Sequence, residues 1–288
     1  MELILNEKRY AEKCIRDRTM GNNSWSTAQI LAKYFYSIGH RRKQIEKDLT
    51  EFVSQNDPQY RTGIVRWQEN IEKLAANAGK YKLFEHNSIP ITKKEFDMIA
   101  NCGLSKQHQQ VLFSYLCLAK LGNMRNVKNS GWVNHKTRDV FLLAHVSLSE
   151  VKQDFMINDF YIRGLVELPK KNDNLSVRIP FCDELDAEVF LSVTDLRDLG
   201  YYYLMQTGEN IVACAECGVL MRGNKAGTKK YCNNCAGYIP QEFKMITCVD
   251  CGREFKVAGN NKRTIRCESC QKEHVREYDR LRKKNSVF

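Results

Sequence analysis

The sequence predicts a mostly helical α+β protein whose last quarter forms two small cysteine-rich modules. Apolar residues recur at helical spacing through the first 88 residues. The order helix, short helix, helix and hairpin follows, and it is typical of a winged helix. Four Cys-x-x-Cys pairs come last. The predicted domains are a helical domain (1–88), a winged-helix-like domain (89–210), a first four-cysteine module (211–243) and a second with a basic C-terminal helix (244–288).

Four short helices are predicted in the first domain. Its apolar stripes are interrupted at residues 21–23, at Gly39, at residues 56–58 and at Gly79, where glycine, asparagine or proline breaks the pattern. Each stripe recurs every three or four residues, so each helix has one apolar face. We expect these faces to form the core of the domain.

Capping signals predict the helices of the second domain. Thr92 and Glu95 predict a capping box for a helix that ends near residue 101. A long helix is predicted at residues 105–121 and a short one at residues 137–144. A further helix over residues 148–163 occupies the position that a winged helix uses for DNA recognition.

Ser147 and Glu150 predict a capping box for this recognition-position helix, and Gly164 predicts its C-cap. A hairpin with strands at residues 165–168 and 176–179 would form the wing. A strand at 189–193 and a helix at 196–205 complete the domain. The basic residues expected on the wing are Lys170, Lys171 and Arg178.

Charge argues against DNA contact by the recognition-position helix. Its carboxylates outnumber its basic residues, with Glu150, Asp154 and Asp159 against Lys152 and Arg163. A helix that enters a groove lined by phosphates should be basic. A structural or protein-binding role is therefore favoured for this domain, and direct DNA contact remains the alternative.

The most specific pattern in the chain is one cysteine spacing that occurs twice. Each module has two Cys-x-x-Cys pairs, separated by 14 residues in the first module and 15 in the second. Four thiolates at this spacing predict a closed, tetrahedral, structural Zn²⁺ site in each module. An iron–sulfur cluster and a crossed pairing between modules are the alternatives. The predicted ligands are Cys214, Cys217, Cys232 and Cys235 for one ion, and Cys248, Cys251, Cys267 and Cys270 for the other.

The first module is predicted to be a zinc ribbon and the second to resemble a treble clef, because a helix follows its last cysteine pair. The segment between the pairs is long enough to run out and back as a hairpin. Gly218 and Gly252 follow the first pair of each module, where a tight turn with positive φ favours glycine. The cysteines outside the modules are expected to be small core residues: Cys14, Cys102, Cys117 and Cys182.

The net charge of +11 is concentrated in the two modules. Residues 214–288 contain 16 Lys or Arg and 8 Asp or Glu, and so hold +8 of the total. Such a cluster predicts a nucleic-acid partner, with DNA favoured over RNA, and a merely solvated basic helix is the alternative. The predicted contacts are Arg222, Lys225, Lys229, Lys230, Arg253, Lys262, Arg263, Arg266, Lys272, Arg276, Arg280 and Lys283, with Tyr231 and Tyr278 placed to stack on bases.

These module sequences resemble a family of uncharacterised proteins from phages and mobile elements of Gram-positive bacteria. The resemblance rests on Cys-Ala-Glu-Cys-Gly at 214–218, the basic run at 222–232, Cys-Val-Asp-Cys-Gly at 248–252 and the basic tail. Those proteins also combine a helical N-terminal region with tandem zinc ribbons. The resemblance implies a phage or prophage context and a DNA or RNA partner, and it implies no catalytic residue. For a nucleic-acid-binding protein in this context we expect a regulatory or replication-associated role.

Other functional classes find little support in the sequence. It contains no H-E-x-x-H, Walker A or G-x-G-x-x-G motif, so we do not expect an enzyme. It lacks a run of about 18 apolar residues and a signal-peptide pattern, which predicts a cytoplasmic protein without a membrane partner. A protein-interaction adaptor that docks on a nucleic-acid enzyme is the alternative function. The acidic residues Asp183, Glu184, Asp186 and Glu188 are expected to form a solvated loop.

Overall fold

A computed structural model describes most of the chain, and it contains two compact units. The first unit comprises Met1–Ala213 and Gly218–Thr228, and the second comprises Cys214–Cys217 and Lys229–Phe288. The division into four domains remains a prediction. The described residues are 3–169, 176–182, 188–237, 244–257 and 264–285, without the side chains of 281–285.

Four helices open the first unit, as the sequence predicts. Asn6 and Asn23 cap the first two, because their side chains accept hydrogen bonds from backbone amides three residues later. The apolar faces of the four helices meet in one core cluster, which includes Leu31, Ile45 and Leu49. The helices are α1 (Glu7–Asp17), α2 (Ser24–Ser37), α3 (Arg42–Asn56) and α4 (Ile64–Asn77).

The middle of the first unit is built around one central helix. The elements are β1 (Ile89–Thr92), α5 (Lys93–Ala100), α6 (Lys106–Arg125), β2 (Trp132–Val133), α7 (Thr137–Leu143), α8 (Glu150–Ile162), β3 (Val177–Arg178), β4 (Val189–Val193) and α9 (Leu199–Gln206). Every residue of α6 from 110 to 121 is buried. A helix that is buried all round lies inside the core, and the second core cluster of the unit forms around it.

Two short antiparallel sheets connect distant parts of this unit. Strand β4 is confirmed as predicted, and it pairs with β1, with Ile89 opposite Val193. Strands β1 and β2 were not predicted from the sequence. Strand β3 pairs with β2 and also forms a bridge between Glu167 and Arg178, so the predicted hairpin is present as one bridge among the described residues. Lys170 and Lys171 lie outside those residues.

One predicted capping box is confirmed and the other is wrong. Thr92 and Glu95 exchange both hydrogen bonds at the start of α5. Helix α8, however, begins at Glu150 with Ser149 in the N-cap position. Glu150 therefore lies in the first turn rather than at the third position, and its carboxylate faces the positive end of the helix dipole without closing a box. Gly164 has the left-handed φ of 68° predicted for a C-cap.

A completely buried ion pair joins α5 to α6. Lys120 Nζ lies 2.7 and 2.9 Å from the two carboxylate oxygens of Glu95, and both side chains are 0% exposed. The same carboxylate accepts a hydrogen bond from the Thr92 amide at 2.8 Å. The capping box is therefore part of a buried polar network in which each charge has a partner.

The cysteine pairs are flanked by two further hairpins and a long helix. Strands β5 (Ile211–Ala213) and β6 (Leu220–Arg222) pair in the first unit, where Ile211 and Leu220 join the core around α6. In the second unit, β7 (Lys244–Thr247) pairs with β8 (Glu254–Val257). The last element is α10 (Glu268–Asn285), which confirms the predicted C-terminal helix.

Candidate metal centres

The first cysteine pair of each module lies in the turn of a β-hairpin. Cys214–Cys217 connects β5 to β6, whose register pairs Ala213 with Leu220. Cys248–Cys251 connects β7 to β8 in the same way. In the first module, whose segment between the pairs is described throughout, the expected hairpin within that segment is therefore wrong. In the second module, residues 258–263 of that segment lie outside the described residues. The strands pair across the cysteine turn instead, which closes a much shorter loop.

A glycine completes each of these turns. Gly218 and Gly252 have φ angles of 70° and 69°, as the sequence analysis predicted. This left-handed region is strained for residues with a Cβ atom. The two turns therefore have the same backbone conformation at the same position relative to the cysteines.

The eight cysteines form two groups of four in sequence order, not a crossed arrangement. Within each group all four sulfur atoms lie within 4.8 Å of one another. The Cys217–Cys232 and Cys251–Cys267 sulfur atoms are 3.7 Å apart. A disulfide would need about 2.05 Å. Four thiolates about 2.3 Å from a tetrahedral metal ion would be about 3.8 Å apart, so each group fits one such ion.

Backbone amides stabilise negative charge on the first sulfur of each group. The Cys232 amide donates to Cys214 Sγ and the Cys267 amide donates to Cys248 Sγ, both at 3.3 Å. Hydrogen bonds from the amides of Cys217 and then Cys232 lower the pKa of Cys214 to about 6. The amide of Cys267 is the main cause that lowers the pKa of Cys248. Both centres thus favour thiolates, the form that binds metal.

The last sulfur of each group has the opposite tendency. Hydrogen bonds to the sulfur atoms of Cys267 and Cys251 raise the pKa of Cys270 to about 12. Contacts with Cys217 and Cys232 likewise raise the pKa of Cys235. The neighbouring sulfur atoms therefore disfavour the thiolate form of the last cysteine of each group. A divalent metal ion would supply the positive charge that allows all four to ionise.

Residues next to the second centre also contact its sulfur atoms. The Ser269 hydroxyl lies 3.2 Å from Cys267 Sγ, and this interaction is the main cause that lowers the pKa of Cys267 to about 6. A hydrogen bond to Cys251 raises the pKa of Arg253. Ser269 was not predicted, although its position inside the last cysteine pair is a usable signal. Such neighbours orient ligands and tune a metal centre.

Several predicted nucleic-acid contacts already have partners within the chain. Arg266 pairs with Asp250 at 2.7 Å, and Lys272 pairs with Glu268 at 2.6 Å. Arg253 contacts the second sulfur group, and Arg222 and Lys229 also have partners. Lys262, Arg263 and the side chain of Lys283 lie outside the described residues.

Four predicted contacts are exposed basic residues without a carboxylate in salt-bridge range among the residues that the structure describes: Lys225, Lys230, Arg276 and Arg280. In the second unit, Lys230 adjoins the exposed Tyr231. Arg276 and Arg280 lie one helical turn apart on α10, and Tyr278 between them is 61% exposed. Free positive charge and an exposed aromatic ring therefore occur next to Cys232 of the first group and on the helix that contains Cys270 of the second.

The described residues of the predicted wing and of the recognition-position helix do not form a basic surface. Arg178 pairs with Glu167 at 2.8 Å and donates to the Ser130 carbonyl at 2.9 Å. On α8, the apolar residues Val151, Phe155 and Ile162 are all more than 60% exposed. Their spacing places them on one helical face. This face is apolar, and the exposed Glu150, Asp154 and Asp159 make the helix acidic, as the charge count had indicated.

The remaining predicted groups show no further metal centre in the described part of the chain. Cys14 and Cys117 are buried, as predicted for core residues, while Cys102 and Cys182 are half-buried. Glu188 is exposed, and Asp183, Glu184 and Asp186 lie outside the described residues. Among the described helices, none is both long and apolar enough to cross a membrane.

Comparisons with known proteins give no relative for this chain. No protein-family model, curated protein or solved structure matches it. The functional inferences therefore rest on the residues themselves.

Proposed function

We propose that the two sulfur groups bind Zn²⁺ as structural centres and that the modules they stabilise bind nucleic acid. The observation that supports the metal is the pair of four-thiolate groups at tetrahedral spacing. An all-cysteine ligand set with no additional ligand in either group favours a closed structural site over a catalytic one. Zinc is the usual ion in such sites, and a [4Fe–4S] cluster would absorb visible light.

The observation that supports nucleic acid is the exposed basic and aromatic surface beside these centres. Arg276 and Arg280, one turn apart on α10, can each contact a phosphate. Tyr278 is two residues from each and so lies on the other side of the helix. Near the first centre, Lys230 is a further exposed cation and lies next to the exposed Tyr231. DNA is favoured over RNA. A phage or mobile-element origin, with a regulatory or replication-associated role, belongs to the same proposal.

Charge reversal on α10 tests this proposal. In the full-length, zinc-loaded chain, Arg276→Glu with Arg280→Glu should weaken binding to duplex DNA by about tenfold or more at low salt. The slope of log affinity against log salt should fall by about 1.8, because each lost phosphate contact removes about 0.9. Fluorescence anisotropy with a labelled duplex measures both quantities.

Lys43→Glu with Lys47→Glu is the matched control. These two lysines are exposed, lie one turn apart on α3 and undergo the same charge change. The control should bind like the wild type. Equal losses in the two double variants would show that only overall charge matters and would contradict a specific role for α10.

A second candidate function is protein docking through the middle of the first unit. The element order from α6 to β3, with β2 beside β3, supports a winged-helix-like arrangement. The exposed Val151, Phe155 and Ile162 on α8 favour an apolar protein partner, such as a polymerase or nuclease, over DNA. Binding of this kind should respond weakly to salt, whereas phosphate binding responds steeply.

A further inference from the structure

A large cleft lies in the first unit between α2, α4 and the segment 80–86. Its volume is about 1060 Å³. Trp25, Gln29 and Lys33 line it from one face of α2, and Asn70, Lys73 and Asn77 line it from one face of α4. Small-molecule pockets range from about 300 to 1,000 Å³, so this space is sufficient for more than one nucleotide.

The third wall of the cleft is held in place by backbone pairing. The Glu7 amide donates to the Phe84 carbonyl at 2.8 Å, and the His86 amide donates to the Leu5 carbonyl at 3.0 Å. The Glu7 carboxylate accepts a further hydrogen bond from the Phe84 amide at 2.9 Å. A wall fixed in this way need not be ordered when a ligand binds, which lowers the cost of binding.

The cleft has an excess of positive charge. Its basic lining residues are Lys33, Lys73, Lys80, Lys82 and Arg125, and its acidic ones are Glu7 and Glu85. Glu7 neutralises Lys33 through contacts of 2.9 and 3.1 Å. Lys80 and Lys82 are exposed, and neither has a carboxylate in salt-bridge range among the described residues. They remain available for an anionic ligand.

Aromatic rings alternate with these cations. Trp25 is 40% exposed and Tyr81, between the two lysines, is 70% exposed. Phe84 is already covered, because the Arg125 guanidinium lies 5.1 Å from its ring centre. Large exposed rings beside unpaired cations are typical of surfaces on which successive bases stack while the backbone follows the positive charge.

We propose that this cleft binds single-stranded nucleic acid, with phosphates at Lys80 and Lys82 and bases at Trp25 and Tyr81. A single strand is favoured because the bases of a duplex are stacked on each other and cannot stack on these rings. Stacking on these rings tolerates any sequence, because every base has an aromatic face. We therefore expect little sequence preference. No described residue of the zinc modules lines the cleft, and the proposal does not rest on their proposed function.

Tryptophan fluorescence reports this site selectively. The chain has three tryptophans, Trp25, Trp67 and Trp132, and none lies in the zinc modules. Titrating the full-length, zinc-loaded chain with an oligothymidylate of about 12 nucleotides should quench the fluorescence. Trp25→Phe should remove most of the quenching, and Trp25→Ala should weaken binding by about five- to a hundredfold through lost stacking.

Charge variants complete the test. Lys80→Gln with Lys82→Gln should lower the salt slope for the single strand by about 1.4, because each phosphate contact on a single strand contributes about 0.7. Lys43→Gln with Lys47→Gln, on a helix that contributes no described residue to the cleft, should leave the slope unchanged. Arg276→Glu with Arg280→Glu should leave the Trp25 quenching unchanged, which distinguishes this site from α10.

Three results would overturn the proposal. One is the absence of quenching at about 50 mM salt. Another is equal quenching in the Trp25→Phe variant. The third is saturation by a mononucleotide with the same affinity as the oligonucleotide, which would make the cleft a nucleotide pocket instead of a strand-binding site.

Discussion

Replacing Cys251 with serine should remove one metal ion per chain and unfold the second module. The second unit has little else to stabilise it, because its buried apolar residues, among those described, are Cys214, Cys248 and Val257. A structural Zn²⁺ ion contributes about 10 kcal/mol or more to the folding of such a module. Without it, the conformational entropy of the chain should exceed the remaining stabilisation.

Metal analysis and limited proteolysis measure this effect together. The wild-type chain should contain two Zn²⁺ ions, and a strong chelator should make the second unit protease-sensitive while the first unit survives. Cys102→Ser is the matched control, because Cys102 is half-buried and belongs to neither sulfur group. A Cys251→Ser chain that retained two ions, or resisted protease like the wild type, would contradict a structural role for the centre.

Lys120→Met should destabilise the first unit by about 3–5 kcal/mol. The substitution leaves the Glu95 carboxylate buried without its cation, and an uncompensated buried charge is costly. Adding Glu95→Gln should recover part of the loss, because a buried pair replaced by neutral groups is often tolerated. Urea unfolding followed by tryptophan fluorescence is suitable, since all three tryptophans lie in the first unit.

The exposed pair Arg42–Glu46 provides the control for the buried one. Its atoms are 2.8 Å apart on α3, and Arg42 is 62% exposed. Arg42→Met should change the free energy of unfolding by about 0.5 kcal/mol or less, because solvent screens such pairs. If Lys120→Met cost no more than Arg42→Met, the buried network around Glu95 would have no special role in stability.

The features that could be predicted from the sequence are those that depend on residues close together in the chain. The four N-terminal helices follow from apolar periodicity and breakers that lie within a few residues of each other. The two sulfur groups follow from cysteine spacing alone. The positive φ of Gly218 and Gly252 follows from their place after a tight turn.

The missed features depend on contacts between distant residues. Strand β1 is stabilised by β4, about a hundred residues away. Neither this pairing nor its register can be predicted from the local sequence pattern. Lys120 looks like a surface residue in sequence, and its burial requires Glu95 at 2.7 Å. The N-cap of α8 was predicted two residues too early. Ser147 and Ser149 are both suitable N-cap residues in the sequence, and the helix begins after Ser149.

If zinc-stabilised modules bind nucleic acid, binding should depend on both zinc and salt, and one titration measures both. The zinc-loaded and chelated full-length chains would be compared against a labelled DNA duplex by fluorescence anisotropy from about 50 to 200 mM salt. The expected result is binding with a steep salt dependence for the zinc-loaded chain and at least about tenfold weaker binding after chelation. No binding at the lowest salt, or equal affinity with and without zinc, would contradict it.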